Sequence, residues 1–191
     1  TGILLRRRII GFDINKKRLK ELNEGVDITN ETSPLELSES SLLEFTNNPD
    51  SLKEADVFLV TVPTPIDSAK KPDFTSLQEA SKTVGRSLQH RAKIPKPSLP
   101  LVIYESTVYP GATEEICVPI LEEESGLKFN KDFFCGYSPE RINPGDKKNK
   151  LENITKIVAG SNISTTRKIK KVYGSIIKAG IHVAESIEIA E

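Results

Sequence analysis

The chain has 191 residues, 27 basic and 27 acidic, with no formal net charge, 37% apolar residues and 28% charged ones. That balance fits one globular domain, or one domain plus the start of a second, and disfavours both a disordered tail and the phosphate neutralisation that drives nucleic-acid binding. Its longest apolar runs, such as Val57 to Val60, fall far short of the roughly 18 residues of a membrane span, so neither nucleic acid nor membrane is an expected partner.

The first element in chain order is the apolar run Ile9, Ile10, Gly11, Phe12, ending in Asp13. Asn15 to Arg18 follow, then Leu19 and Leu22 at helical spacing and Gly25 as a stop, a strand-turn-helix pattern. Residues 26–42, rich in Ser, Thr, Glu and Asn, read as a connection. A short strand is expected at Leu43 to Thr46 and a brief helix at Ser51 to Ala55. Val57 to Val62 is nearly continuous in apolar residues, the signature of a strand covered on both faces in a parallel sheet. Thr75 and Gln78 have capping-box spacing, and Leu77, Ala80, Val84 and Leu88 continue as a helix. The stretch Gln89 to Pro100, with Pro95, Pro97 and Pro100, reads as a protruding loop rather than regular helix. Then come a strand at Leu101 to Tyr104, a helix from Thr113 to Ser125 stopped by Gly126, and strands at Phe133 to Gly136 and Lys156 to Ala159. A helix from Thr165 to Ala179, a strand at Ile181 to Val183 and the first turns of a helix at Ile187 to Glu191 complete the pattern. Strands alternating with helices predict an α/β fold with a doubly wound, mostly parallel sheet.

Open sheets of this kind bind ligands beyond the carboxyl ends of their strands, and three strand ends here carry polar groups. Asp13 either accepts hydrogen bonds from the ribose of a dinucleotide or caps the helix after it; Arg18 either approaches a phosphate or faces solvent. Pro63 and Thr64 leave the strand that begins at Val57, as a ligand-facing corner or a structural turn. Ser106 and Thr107 follow the next strand, as ligand-binding hydroxyls or as a helix cap. Glu140 and Arg141 follow a third; Glu140 is placed for general-base work through a water, or the two form a surface ion pair. Cys135 sits within a strand pattern and reads as core, with no histidine nearby in sequence to activate it. Two cysteines and two histidines are too few for a disulfide framework or a Cys/His zinc site, so no metal is expected and the reducing cytoplasm is the expected location. No two glycines lie only two positions apart, so the Gly-rich phosphate-binding fingerprint is absent from the chain. With no methionine and Thr1 at the start, the chain reads as a fragment or an imperfect gene model. Arg6 to Arg8 also follow an apolar stretch instead of preceding one, the reverse of a secretory signal.

At those strand ends the strings VTVPTPID, YESTVYPGATEEICVPILEEESGLKFN and DFFCGYSPERINPGD resemble the UDP-glucose/GDP-mannose dehydrogenase family. The subgroup most resembled oxidises UDP-N-acetylhexosamines, such as UDP-N-acetylgalactosamine or UDP-N-acetylmannosamine, for surface polysaccharide biosynthesis. The resemblance implies a Rossmann-like sheet lacking its first β-α unit over residues 1–184, and the start of an inter-domain helix over 185–191. It implies two successive NAD-dependent oxidations at the sugar C6, through a thioester on a cysteine that neither Cys117 nor Cys135 matches. Carried over, Asp13 binds the adenosine ribose, Arg18 lies near the cofactor phosphates, and Pro63, Thr64 and Thr107 line the NAD cleft. Glu140 acts with Thr107 on the water that hydrolyses the thioester, and Arg141 shapes the UDP-sugar side. Asp13, Thr107 and Glu140 are then expected to converge on one crevice. The intact protein is expected to be a homodimer, and the chain alone to lack turnover and to bind NAD weakly or not at all. Two alternatives stay open on the residues: a β-hydroxyacid dehydrogenase sharing the fold, and a decayed or partner-binding fragment without catalysis.

Overall fold

Short apolar runs become strands wherever neighbours cover them, and the order of the runs sets the sheet. The computed structural model describes residues 8–66, 68–96, 98–141 and 151–191. The apolar trio Ile3 to Leu5 and the INPGD end of the third motif lie outside the described residues. Contacts between Cα atoms separate two compact units, one running through Leu52 and the other comprising Lys53–Arg141 and Leu151–Glu191.

In the first unit, β1 (Ile9–Phe12) pairs in parallel with β2 (Leu43–Thr46), Ile9 opposite Leu43 and Phe12 opposite Thr46. Between them run α1 (Lys16–Asn23), whose Leu19 is buried, and α2 (Pro34–Glu39). The second helix corrects the reading of residues 26–42 as plain connection. Ser33 and Glu36 form a reciprocal capping box with Pro34 in the first turn, a start signal written in the sequence. No residue of α2 is buried, so it has no apolar stripe to betray it. A 3-10 turn at Pro49–Leu52 replaces the expected helix at 51–55.

The second unit holds a five-stranded sheet in the order β3-β4-β5-β6-β7: Val57–Val60, Leu101–Tyr104, Phe134–Tyr137, Lys156–Gly160 and Ile181–Val183. β3, β4 and β5 are parallel, β6 runs antiparallel to β5, and β7 is parallel to β6. All four residues of β4 are buried. Helix α3 (Thr75–Arg91) packs against α4 (Val118–Ser125). The cluster Leu101, Ile103, Val158, Ile169, Tyr173 and Ile177 joins the sheet to α5 (Ile163–Gly174). A four-residue helix, α6 (Ile187–Ala190), ends the unit.

Several boundaries differ from expectation for identifiable reasons. Thr75 is the first residue of α3 rather than its cap; the Asp73 carboxylate accepts its N–H at 2.9 Å and does the capping work. That helix continues to Arg91, three residues into the segment read as loop. The buried Arg91 guanidinium then ties the loop down, bonding Asp56 Oδ1 at 2.7 and 3.0 Å and the carbonyls of Ile94 and Ser98. Thr113–Cys117 forms a π-helical turn, with Val118 N–H bonded to Thr113 O. Pro119 lies four residues after Glu115, and its ring clashes with the Glu115 carbonyl in a tight α-turn, which a wider turn relieves. α5 stops at Gly174, although Ile176 and Ile177 prolong the apolar stripe; both N–H groups turn back to Tyr173 O at 2.9 Å.

A glycine pair sits where the pairing switches from parallel to antiparallel. Gly136 faces Gly160 across β5 and β6. A Cβ on Gly136 would fall inside the Ile169 side chain and 2.7 Å from Ala159 O. Gly136→Ala is therefore expected to lower unfolding stability by about 1–3 kcal/mol, the usual cost of overpacking, read as a reduced urea midpoint at unchanged slope.

Candidate functional site at the strand ends

Because β3, β4 and β5 are parallel, their carboxyl ends share one edge, and there the loops enclose a hollow of about 260 Å³. Thr61 to Thr64 line it from β3, Glu105 to Thr107 from β4, and Glu140 from beyond β5. The loops are stitched together by their own polar groups. Ser106 Oγ donates to Val62 O at 2.6 Å, Glu105 N to Val60 O at 2.9 Å, Ser138 N to Tyr104 O at 2.9 Å and Tyr137 OH to Ser106 O at 3.0 Å. Ser106 thus braces the β3 corner and caps no helix. Burial, with the nearby carboxylates of Glu191 and Glu105, pushes the Tyr137 phenol up to about 12, which keeps it a donor.

Four sequence-predicted site residues meet here: Pro63, Thr64, Thr107 and Glu140. Thr107 and Glu140 are exposed. The Thr64 hydroxyl is buried and, among the described residues, has no hydrogen-bond partner. A buried hydroxyl left unbonded is costly, so it is a natural anchor for a polar ligand. Arg141 is exposed and is not part of the lining; its backbone N–H donates to Glu140 Oε1 at 2.7 Å.

Behind the hollow lies a group that sequence reading missed. Lys156, 4% exposed, donates to Pro139 O at 3.1 Å and reaches both Glu105 and Glu140. Tyr173 OH donates to Glu105 Oε1. Burial, reinforced by the charge of Glu105, raises the Tyr173 phenol far above its usual range. The loop after Thr107 is held from the other side. Gly111, at φ +97°, and Thr113 donate their N–H groups to the Glu191 carboxylate at 2.5 and 2.9 Å. Cys117 and Cys135 are fully buried, and burial pushes both thiols up, Cys117 to about 11; neither is poised as a nucleophile.

Asp13 and Arg18 belong to the first unit. Asp13 ends β1 in an exposed position, and its Oδ1 accepts the Asn15 N–H at 2.8 Å. The helix cap is Asn15, whose side chain accepts from Lys17 and Arg18 N–H. Arg18 Nη2 lies 2.6 Å from Asp27 Oδ1, while its Nη1 is buried with no hydrogen-bond partner among the described residues. Among the described residues no helix is long and apolar enough to cross a membrane, and no group of three or more His, Cys, Asp or Glu side chains is placed to hold a metal.

Comparison with known proteins gives this geometry a context. Residues 4–177 match the sequence model of the NAD binding domain of the UDP-glucose/GDP-mannose dehydrogenase family. The chain is 53% identical over 185 residues to UDP-N-acetyl-D-glucosamine 6-dehydrogenase of Salmonella typhi, covering 97% of this chain and 42% of that protein. Its counterpart from Pseudomonas aeruginosa is 51% identical with the same coverage. The chain therefore spans less than half the length of these relatives. Among solved structures, the UDP-D-ManNAc dehydrogenase of Pyrococcus horikoshii superposes with a TM-score of 0.81 at 29% identity, over 96% of this chain and 43% of that one. A GDP-mannose dehydrogenase of Pseudomonas aeruginosa shares the fold with a TM-score of 0.85 at 22% identity, over 99% of this chain and 44% of that one.

Arg18 and its partner carry a pH prediction for the first unit. Burial alone would raise the Asp27 carboxyl, but bonds from Thr29, Arg18 and the Thr32 and Thr29 N–H groups outweigh it and hold the group far below the usual carboxylate range. A depressed folded value gives stability that is fully present above the unfolded value of about 3.9 and is lost as pH falls below it. Acid unfolding monitored by circular dichroism is expected to steepen below about pH 4 in the parent chain. Asp27→Asn, which breaks the pair, is expected to cost about 1–3 kcal/mol at neutral pH and to flatten that acid limb.

Proposed function

The chain belongs to the UDP-glucose/GDP-mannose dehydrogenase family, and from that premise we propose that it is the NAD-binding part of an enzyme that oxidises a UDP-N-acetylhexosamine at C6 to the uronic acid. The observation that carries the reading is the shared hollow of Thr64, Thr107 and Glu140 at three parallel strand ends. Identity above 50% to two UDP-N-acetyl-D-glucosamine 6-dehydrogenases supports N-acetylglucosamine as the sugar to test first.

Two buried polar groups, each considered within its own unit, suit the chemistry of a dinucleotide. The buried, unbonded Thr64 hydroxyl needs an acceptor or donor, and the buried Arg18 Nη1 needs an acceptor such as a phosphate oxygen. Pro63, Thr64 and Thr107 would contact NAD at the strand-end hollow, and the cofactor supplies the hydride acceptor for the oxidation; Asp13 is proposed for the adenosine ribose and Arg18 for a cofactor phosphate. Glu140 takes a proton from water in the hydrolytic half of the reaction, with Thr107 holding that water, and Arg141 flanks the sugar side. A homodimer and a role in surface polysaccharide biosynthesis in the cytoplasm complete the proposal.

The test is NADH formation by the protein expressed from its whole reading frame, with UDP-N-acetylglucosamine, its galacto and manno epimers, and β-hydroxyacids as substrates. UDP-N-acetylhexosamine-dependent NADH is expected, and Glu140→Gln is expected to slow turnover about a hundredfold or more, the usual weight of a general base. NADH from β-hydroxyacids and none from UDP-sugars would overturn the reading.

A further inference from the structure

Lys156 opens β6, yet its side chain is only 5% exposed. Its Nζ donates to Pro139 O at 3.1 Å and stands 3.5 Å from Glu105 Oε1 and 3.7 Å from Glu140 Oε2. The ammonium also lies over the Tyr173 ring, 5.4 Å from its centroid. Tyr173 OH closes the group by donating to Glu105 Oε1. Both carboxylates line the hollow, and the ammonium does not. A buried cation survives only when paired and hydrogen-bonded, and here the Lys156 ammonium lies near two carboxylates. Its backbone acceptor is the carbonyl immediately before Glu140, so one side chain grips both the main chain and the carboxylate of the proposed base.

We propose that Lys156 is a positioning residue that acts through Glu140, aiming its carboxylate at the hollow, while Glu105, itself fixed by Tyr173, holds the lysine in place. Glu105 and Glu140 therefore share the Lys156 ammonium, and a change at either carboxylate bears on the other. What Glu140 does chemically rests on the function proposed above. The grip of Lys156 on it is measurable without turnover.

Among the described residues, Glu105 at the end of β4, Lys156 on β6 and Tyr173 on α5 are titratable groups that face Glu140. The experiment follows the Glu140 carboxyl signal by NMR at one fixed pH in the chain with isotope-labelled glutamate side chains, its signal identified by Glu140→Gln. Lys156→Met is expected to displace and broaden that signal, because the ammonium beside the carboxylate is gone. Lys156→Arg keeps the charge and is expected to return the signal close to its parent position. Glu105→Gln is expected to displace the Glu140 signal as well, since the ammonium is released from its other anion.

If Lys156→Met fails to fold, the Lys156→Arg and Glu105→Gln pair still decides the matter. A purely structural lysine would lower thermal stability and leave Glu140 unmoved in the folded variants, and that result would overturn the proposal. In the protein expressed from its whole reading frame, Lys156→Met is expected to reduce kcat with little change in KM for NAD, with recovery in Lys156→Arg. If Glu140 follows Lys156 but the parent forms no NADH from any UDP-sugar, the functional reading falls and this inference stands.

Discussion

A sheet strand with both faces covered leaves its polar chemistry only one outlet, its ends. β4 is that strand: Leu101, Val102, Ile103 and Tyr104 are all buried, and β3 and β5 bond it on both sides. Parallel pairing then brings three carboxyl ends to one edge, where the main chain must leave the sheet and its peptide groups need new partners. The hydroxyls of Ser106 and Tyr137 meet part of that need. The Thr64 hydroxyl does not enter this stitching. The hollow is thus a consequence of the sheet: strand order decides which residues face it, and covered faces decide how rigidly they are held.

The same physics explains which elements could be read in advance. β2, β4 and β7 fall where apolar runs placed them, and β3, β5 and β6 within a residue or two, because a short run covered by neighbours leaves a continuous trace in sequence. α2 left no such trace, since it buries nothing and is specified by its capping box alone. The stripe through Ile176 and Ile177 misled in the other direction. Ile177 is buried against the same core as Ile169 and Tyr173, but after the helix has ended, so burial outlasts the backbone geometry that began it. The π-turn at Thr113–Cys117 answers to Pro119, a residue beyond it, which a pattern of apolar positions does not register.

At the site, local reading found the residues on the parallel strand ends and missed the one on the antiparallel strand. Thr64, Thr107 and Glu140 each follow an apolar run, and parallel topology alone brings such positions together. Lys156 precedes its run and in sequence looks like the polar flank of a strand start. It reaches the same edge because β6 runs against β5, which puts its amino end beside the carboxyl ends of the others. The pairing that puts it there brings Gly136 opposite Gly160, whose missing side chains leave room for Ile169 and the first turn of α5 against the pair.

Two carboxylate systems in this chain show how differently such groups can be used. Asp27 accepts bonds from Arg18, from the Thr29 hydroxyl and from the N–H groups of Thr29, Glu31 and Thr32, all within its own turn or the helix before it. Such a set saturates the carboxylate and organises the turn, and any added proton must break it. Glu105 and Glu140 instead both lie near the Lys156 ammonium, which reaches them from behind, and both line the hollow. Saturated charge makes architecture. An ammonium placed between two carboxylates at the wall of a cavity organises the rim of that cavity instead of a turn, so the two systems differ in what their charge holds in place.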